Sequence, residues 1–288
     1  MIDFINYNWM PTIANHCMDL PESFYISAGV SRLHDTDSMN PDEVKENDIV
    51  FVKTDFIHSG QFQRDILPHI KCKFTLITGI SSYSVDHASE EIINNELVKH
   101  WFCTNPPTTN SNKIIPLPIG FEEKERVGGN QAILRKAWDT KVNQNNKRTD
   151  LLYLPYHTVD TNPKRDQEIK YLESLDFIYV EKEKLPFDKY LERMGQYKFT
   201  ICLGGAGHDT HRNYESLLVG SIPIMPRSCV KQIYDFYELP NIFVKDWTEI
   251  KWVKLQTDYY NEPFPVDKVE RFFDIKSHKE RILNYAKS

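Results

Sequence analysis

Residues 204–225 read GGAGHDTHRNYESLLVGSIPIM, and the organisation of the chain can be worked outward from them. Just before them, KFTICL (198–203) is an apolar run of strand character that stops at glycine. Glycine allows a tight turn and lets a ligand approach the backbone closely. RNYESLLVG (212–220) has helical spacing, with Tyr214, Leu217 and Leu218 available for burial. Asp209 or Thr210 is placed to cap that helix by accepting its free amides, and Gly220 closes it before the short strand SIPIM. The stretch therefore predicts strand, glycine turn, exposed helix start, helix, glycine, strand.

The same alternation extends in both directions. In the first half, DIVFVKTDFI (48–57) and CKFTLITG (72–79) read as strands, with a short helix in GQFQRDILPHI (60–70) between them. YSVDHASEEIINNELVKHW (83–101) reads as helix, with Ile92, Ile93 and Leu97 on one face; HWFCTN and KIIPLPIGF follow as short buried strands. Residues 122–150 are polar and asparagine-rich, the character of a boundary. Beyond them come the strand DLLYLPYH, a helix in NPKRDQEIKYLESL, and then a strand, a helix and a further strand up to Gly204. Strands alternating with helices mark α/β layers. The expected domains are 1–121, a linker with helix at 122–149, and 150–265. A closing helix, 266–288, offers Val269, Phe272 and Phe273 for packing back on the first domain.

The chain has 288 residues, 40% of them hydrophobic, enough for real cores. A formal charge of −6 gives no general attraction to nucleic acid, although a local basic pocket can still bind an anion. Five cysteines, Cys17, Cys72, Cys103, Cys202 and Cys229, are far apart and have no metal-ligand spacing, which predicts buried free thiols. The start lacks a basic stretch followed by an apolar core, and no run approaches a membrane span. The expected compartment is the cytoplasm.

The chemistry concentrates after Gly204. A helix start presents unpaired amides and partial positive charge. Arg212 sits in that first turn, where the dipole gives a cation no help, so it either reaches forward to a phosphate or makes a surface salt bridge with Glu215. His208 is placed to donate from the loop. HDTD (34–37) is the one metal-like motif: Asp35 and Asp37 could hold a divalent ion, against the plainer reading of a solvated loop.

Gly204 and Gly205 followed by HDTHRNYESLLVGSIPIM resemble the donor-binding segment of exostosin-like glycosyltransferases, in which an arginine, a glutamate three residues later and a glycine before an Ile-Pro-Ile strand recur. The resemblance is weaker in FTLITGISSYSVDH, WFCTNPPTTNSNKIIPLPIGFE and FVKDWTEI. It implies an α/β chain of two Rossmann-like domains facing across a cleft (GT-B), in a compact microbial or viral enzyme that moves a sugar from a UDP- or GDP-sugar to a glycan or other hydroxyl acceptor without a metal cofactor. On it Arg212 meets the diphosphate, Glu215 meets ribose or sugar hydroxyls, and Gly205, His208, Asp209 and Thr210 line the turn. Arg165, in preference to Lys164, after the first strand of the second domain, is a candidate second basic group for the diphosphate, against a plain helix start. An inverting reaction needs a base on the first domain. Asp55 and His58 follow one predicted strand and Asp86, with His87, another; each aspartate has the alternative of capping or starting a helix. The competing functions are a metal-dependent GT-A transferase using Asp35 and Asp37, and a non-catalytic nucleotide-sugar- or glycan-binding protein.

Overall fold

The computed structural model describes residues 2–32, 39–86, 89–143, 148–160, 162–251 and 263–288. The chain divides into two units, Met1–Gly129 together with Phe272–Ser288, and Asn130–Arg271. Each is a parallel sheet flanked by helices, so the chain carries two Rossmann-like α/β units, the element content of a GT-B chain.

Unit 1 contains β1 (His16–Met18), α1 (Glu22–Ser27), β2 (Ile49–Lys53), α2 (Thr54–His58), α3 (Gln61–Asp65), β3 (Phe74–Gly79), α4 (Ser89–Asn94), β4 (Val98–Cys103) and β5 (Ile114–Pro116). The strands pair in chain order, all parallel. Every residue of β2 and β3 is buried, as expected of parallel strands covered on both faces. On one face Val50, Val52, Leu76 and Trp101 pack with Ile57, Phe62, Val85 and Ile92. Within this unit the other face is covered by the chain's last helix, described below.

Unit 2 contains α5 (Gln131–Asn143), β6 (Thr149–Leu154), α6 (Lys164–Glu173), β7 (Ile178–Val180), α7 (Phe187–Met194), β8 (Tyr197–Ile201), α8 (His211–Leu218), β9 (Ile222–Pro226), α9 (Val230–Tyr237) and β10 (Ile242–Val244). Its strand order is β10-β9-β8-β6-β7. The chain runs from β6 out to β7, returns to the other side of β6 as β8, and continues outward. The direction of winding therefore reverses between β6 and β8, and their carboxyl ends diverge into separate loops. Leu152, Leu154, Phe199, Ile201 and Ile224 form the centre of the core beneath that point, with Leu172 and Trp247 against them.

After α10 (Val266–Phe273) the chain rejoins unit 1 and ends in α11 (Ile275–Lys287). Asp274 accepts from the Lys276 amide as the cap of α11 and bridges Phe4 through the backbone. Tyr285 packs edge-on against Phe102 and His100, Lys99 Nζ donates to the Ala286 carbonyl, and His278 lies against Trp9.

Several sequence-based expectations change. The run 48–57 is not one strand: β2 stops at Lys53, whose partner Gly79 ends β3, and residues 54–58 turn into α2. Among the described residues of 83–101 the α-helix is α4, and it ends at Asn94, because the Asn95 side chain accepts from the Leu97 amide in a turn that launches β4. The helix expected within 122–149 is α5, with Leu134 and Trp138 buried. The sequence pattern gives no sign of β1, α1 or α9. Among the described residues no helix is long and apolar enough to cross a membrane. None of the five cysteines is joined in a disulfide; Cys72 is half-buried and the others are buried.

Candidate functional site

The point between β6 and β8 is where an open parallel sheet places a ligand, because loops leaving neighbouring strands in opposite directions open a crevice at the strands' carboxyl ends. Here the loop after β6 is tied to the glycine turn after β8. Arg165, in the first turn of α6, donates from Nε to the Gly204 carbonyl at 2.8 Å and from Nη1 to the Thr158 carbonyl at 2.9 Å. Asn162 Nδ2 donates to the carbonyls of Gly204 and Gly205 at 3.3 and 3.4 Å. A methyl group added at Gly205 would stand 3.1 Å from the Thr210 methyl and 3.6 Å from Arg165 Nη2. Glycine keeps that corner open.

The turn leads into α8, whose residues from Asn213 to Leu218 are buried. Thr210, the residue before α8, makes no side-chain cap bond to its amides. The Thr210 hydroxyl lies 3.1 Å from Asn213 Oδ1, and Asp209 turns inward to accept from Asn213 Nδ2 and the Tyr214 hydroxyl. A buried carboxylate needs donors, and those two side chains on α8 supply them. Asp209 thus pins the loop to the helix. His208 is exposed in the turn.

Arg212 donates from Nε to the Tyr190 hydroxyl at 3.1 Å and from Nη2 to the Tyr156 carbonyl at 3.2 Å. The same Tyr190 hydroxyl donates to Glu215 Oε2 at 2.8 Å. Arg212 and Glu215 are therefore linked through a phenol on α7, and no carboxylate among the described residues lies within ion-pairing distance of Arg212. Burial works against its charge, but Tyr190 and Glu215 outweigh that and hold Arg212 above its ordinary value. Arg165 is lowered, by burial and then by the nearby charge of Arg212. Between them, in influence, is His157, which leaves β6 two residues beyond Pro155. Burial, then the charges of Arg212 and Arg165, push its imidazole down to about 2 against the pull of the Pro155 carbonyl, 2.6 Å from Nδ1. The result is a neutral histidine beside two guanidinium groups, at a place suited to an anion.

In unit 1, Asp55 in the first turn of α2 pairs with Lys53 Nζ at 2.9 Å; Lys53 also donates to the Ile80 carbonyl and is almost fully buried. Ile80 lies at the end of β3 with φ +57°, a left-handed conformation that is rare for a β-branched residue. His58 is exposed, its ring stacked on Tyr83 at 4.2 Å. Asp86 accepts from the Thr108 amide and hydroxyl at 2.6 and 2.9 Å and from the Ser84 hydroxyl, joining two loops. Asp35, Asp37 and His87 lie outside the described residues. Among the described residues no three of His, Cys, Asp and Glu gather around a point that could hold a metal ion.

A cavity of about 510 Å3 lies elsewhere in unit 2, between α5 and α7 and beside the residues that precede β8. That is the amino end of the strand, the wrong end for the crevice. Its half-buried cation, Arg148, donates to the carbonyls of Tyr197 and Val219 and so closes the carboxyl end of α8.

Sequence reasoning missed His157, Tyr190, Asn162 and Lys53. YH after the strand DLLYLP was the only signal for His157; Tyr190 reaches Arg212 from a separate helix, and nothing in the spacing announces it.

No protein-family model matches the chain, and no curated protein sequence matches it. Among solved structures it is similar to a GtfA/B complex, at 8% identity and a TM-score of 0.39, over 85% of this chain and 59% of that one. It is also similar to a pneumococcal O-GlcNAc transferase, GtfA, in complex with UDP and GlcNAc, at 10% identity and a TM-score of 0.29, over 92% of this chain and 56% of that one. The chain thus spans less than three-fifths of either structure. Neither likeness assigns a role to a residue.

Proposed function

We propose that the chain is a glycosyltransferase of the GT-B type, and that unit 2 binds the diphosphate of a nucleotide sugar at the β6–β8 corner. The observation that carries this reading is the convergence of Arg165 and Arg212 on the one place where the strand order reverses, beside a turn kept open by Gly205. Both guanidinium groups are held in position by backbone carbonyls and a phenol. Such fixed donors stabilise a leaving diphosphate without reorganising as its charge grows. The exostosin-like motif of Gly204–Met225 supports the same assignment, with Glu215 toward ribose or sugar hydroxyls and His208 and Thr210 at the turn; Asp209 supports the loop from within. The reading needs no metal on the diphosphate.

In unit 1 we assign Asp55 as the base of an inverting reaction in preference to Asp86 or His58. Asp55 stands at the carboxyl end of β2, fixed by Lys53 and about a third exposed, whereas Asp86 is occupied in joining loops. Titration calorimetry with UDP and GDP tests the diphosphate site. Arg212→Ala is expected to weaken whichever diphosphate the wild type binds by about ten-fold or more. Unchanged affinity in Arg212→Ala would remove the site from unit 2's crevice.

A further inference from the structure

His157 is 8% exposed, and the carbonyl of Pro155 stands 2.6 Å from its Nδ1. A carbonyl oxygen only accepts, so Nδ1 carries the hydrogen and Nε2 is left with a lone pair. That nitrogen is buried and has no hydrogen-bond partner. A buried acceptor without a donor is costly, and native structures rarely leave one without a reason. Taking up a proton is no escape for the ring, since burial and then the charges of Arg212 and Arg165 disfavour the charged form. Nor does the lone pair suit a phosphate oxygen, which would repel it.

The geometry points to His157 Nε2 as the acceptor for a hydroxyl of the phosphate-bearing ligand, so that the corner reads a diphosphate and a neighbouring hydroxyl together rather than a diphosphate alone. This inference rests on the diphosphate reading above and adds to it a residue that decides which ligand is kept. The hydroxyl belongs either to the ribose or to the transferred sugar; the chemistry at Nε2 is the same for both.

The test uses the full chain and calorimetric titration of pyrophosphate, UDP, GDP, UDP-glucose and GDP-glucose. An Asn side chain places its amide near the Nδ1 position and keeps the bond to Pro155, whereas Gln reaches toward the Nε2 position and can still accept. His157→Asn is expected to bind pyrophosphate like the wild type but to bind the nucleotide ligands about ten-fold more weakly, with most of that loss recovered in His157→Gln. His157→Phe, which keeps the ring volume, is a second variant without the acceptor and should match Asn. A loss already present with UDP or GDP assigns the ribose hydroxyl; a loss confined to the glucose conjugates assigns the sugar. If the wild type binds nucleotides and His157→Asn and His157→Phe bind them equally well, the inference fails while the diphosphate site stands. If the variants weaken pyrophosphate as much as nucleotides, His157 only shapes its loop and the inference fails. If the wild type binds none of the five ligands, the diphosphate reading falls and takes this inference with it.

Discussion

Replacing Tyr190 with phenylalanine removes one oxygen and leaves the ring, which packs beside Phe187 with centroids 6.0 Å apart. The hydroxyl accepts from Arg212 Nε at 3.1 Å and donates to the buried Glu215 carboxylate at 2.8 Å. Each bond involves a charged group, a class that contributes about 1.5–3 kcal/mol. The two losses do not add in full, because Arg212 keeps its bond to the Tyr156 carbonyl and can move toward Glu215 once the hydroxyl is gone. A net loss of about 2 kcal/mol follows. For a unit the size of Asn130–Arg271, each kcal/mol lowers the midpoint by about 3–4 °C, so differential scanning calorimetry should show the unit 2 transition about 6–8 °C lower. The same variant frees Arg212 from its main tether, and diphosphate affinity should fall about three- to ten-fold even though the guanidinium is still present. A Tyr190→Phe protein whose melting point moves by less than about 1 °C and whose affinity for UDP and GDP is unchanged would refute the coupling of these three side chains.

Gly220 has φ +69° at the carboxyl end of α8, and a methyl group there would fall 1.8 Å from Lys141 Cε and 2.9 Å from Arg148 Nη2. Gly220→Ala should cost unit 2 about 1–3 kcal/mol in urea unfolding, and a wild-type midpoint would show that the neighbours yield freely. Burial pushes His278 down to about 4, with the Phe272 carbonyl 2.6 Å from its Nε2. Because the unfolded chain takes up that proton near pH 6.5 and the folded chain does not, stability is complete above about 6.5 and falls by about 1.4 kcal/mol per pH unit toward 4. Urea midpoints measured between pH 7 and 4 check this, and the decline should become shallower in His278→Leu. Asp55→Asn should leave nucleotide binding unchanged while lowering transfer at least a hundred-fold, measured by release of the nucleoside diphosphate; full turnover would exclude Asp55 as the base.

The strand-to-strand rhythm of unit 2 was legible because its signals are local. KFTICL ends at Gly204, and α8 closes at Gly220, where the backbone needs a left-handed residue. Arg212 and Arg165 were legible as cations at helix starts. Their arrangement was not, since it depends on β8 returning to the far side of β6, and strand order is not a property of any window of sequence. The inward bonds of Asp209 were illegible for a related reason: they depend on Asn213 and Tyr214 of α8 being buried on the side that the Asp209 carboxylate faces. In unit 1, DIVFVKTDFI gives no sign of a boundary at Lys53, because the strand ends where its neighbour's ladder ends, at Gly79.

Unit 1 is interrupted by unit 2 in the chain: its final piece, Phe272–Ser288, supplies the helix that shields Phe102 and contacts Trp9. During translation the ribosome must therefore make all of unit 2 before unit 1 has every part it needs. The later-made half can mature first, reversing the usual amino-to-carboxyl order. Until α11 emerges, the nascent chain presents the greasy side of β3 and β4 to water, a surface for chaperones to hold. A stop codon placed just before Phe272 would accordingly damage the first-made half more than the half that the missing residues follow.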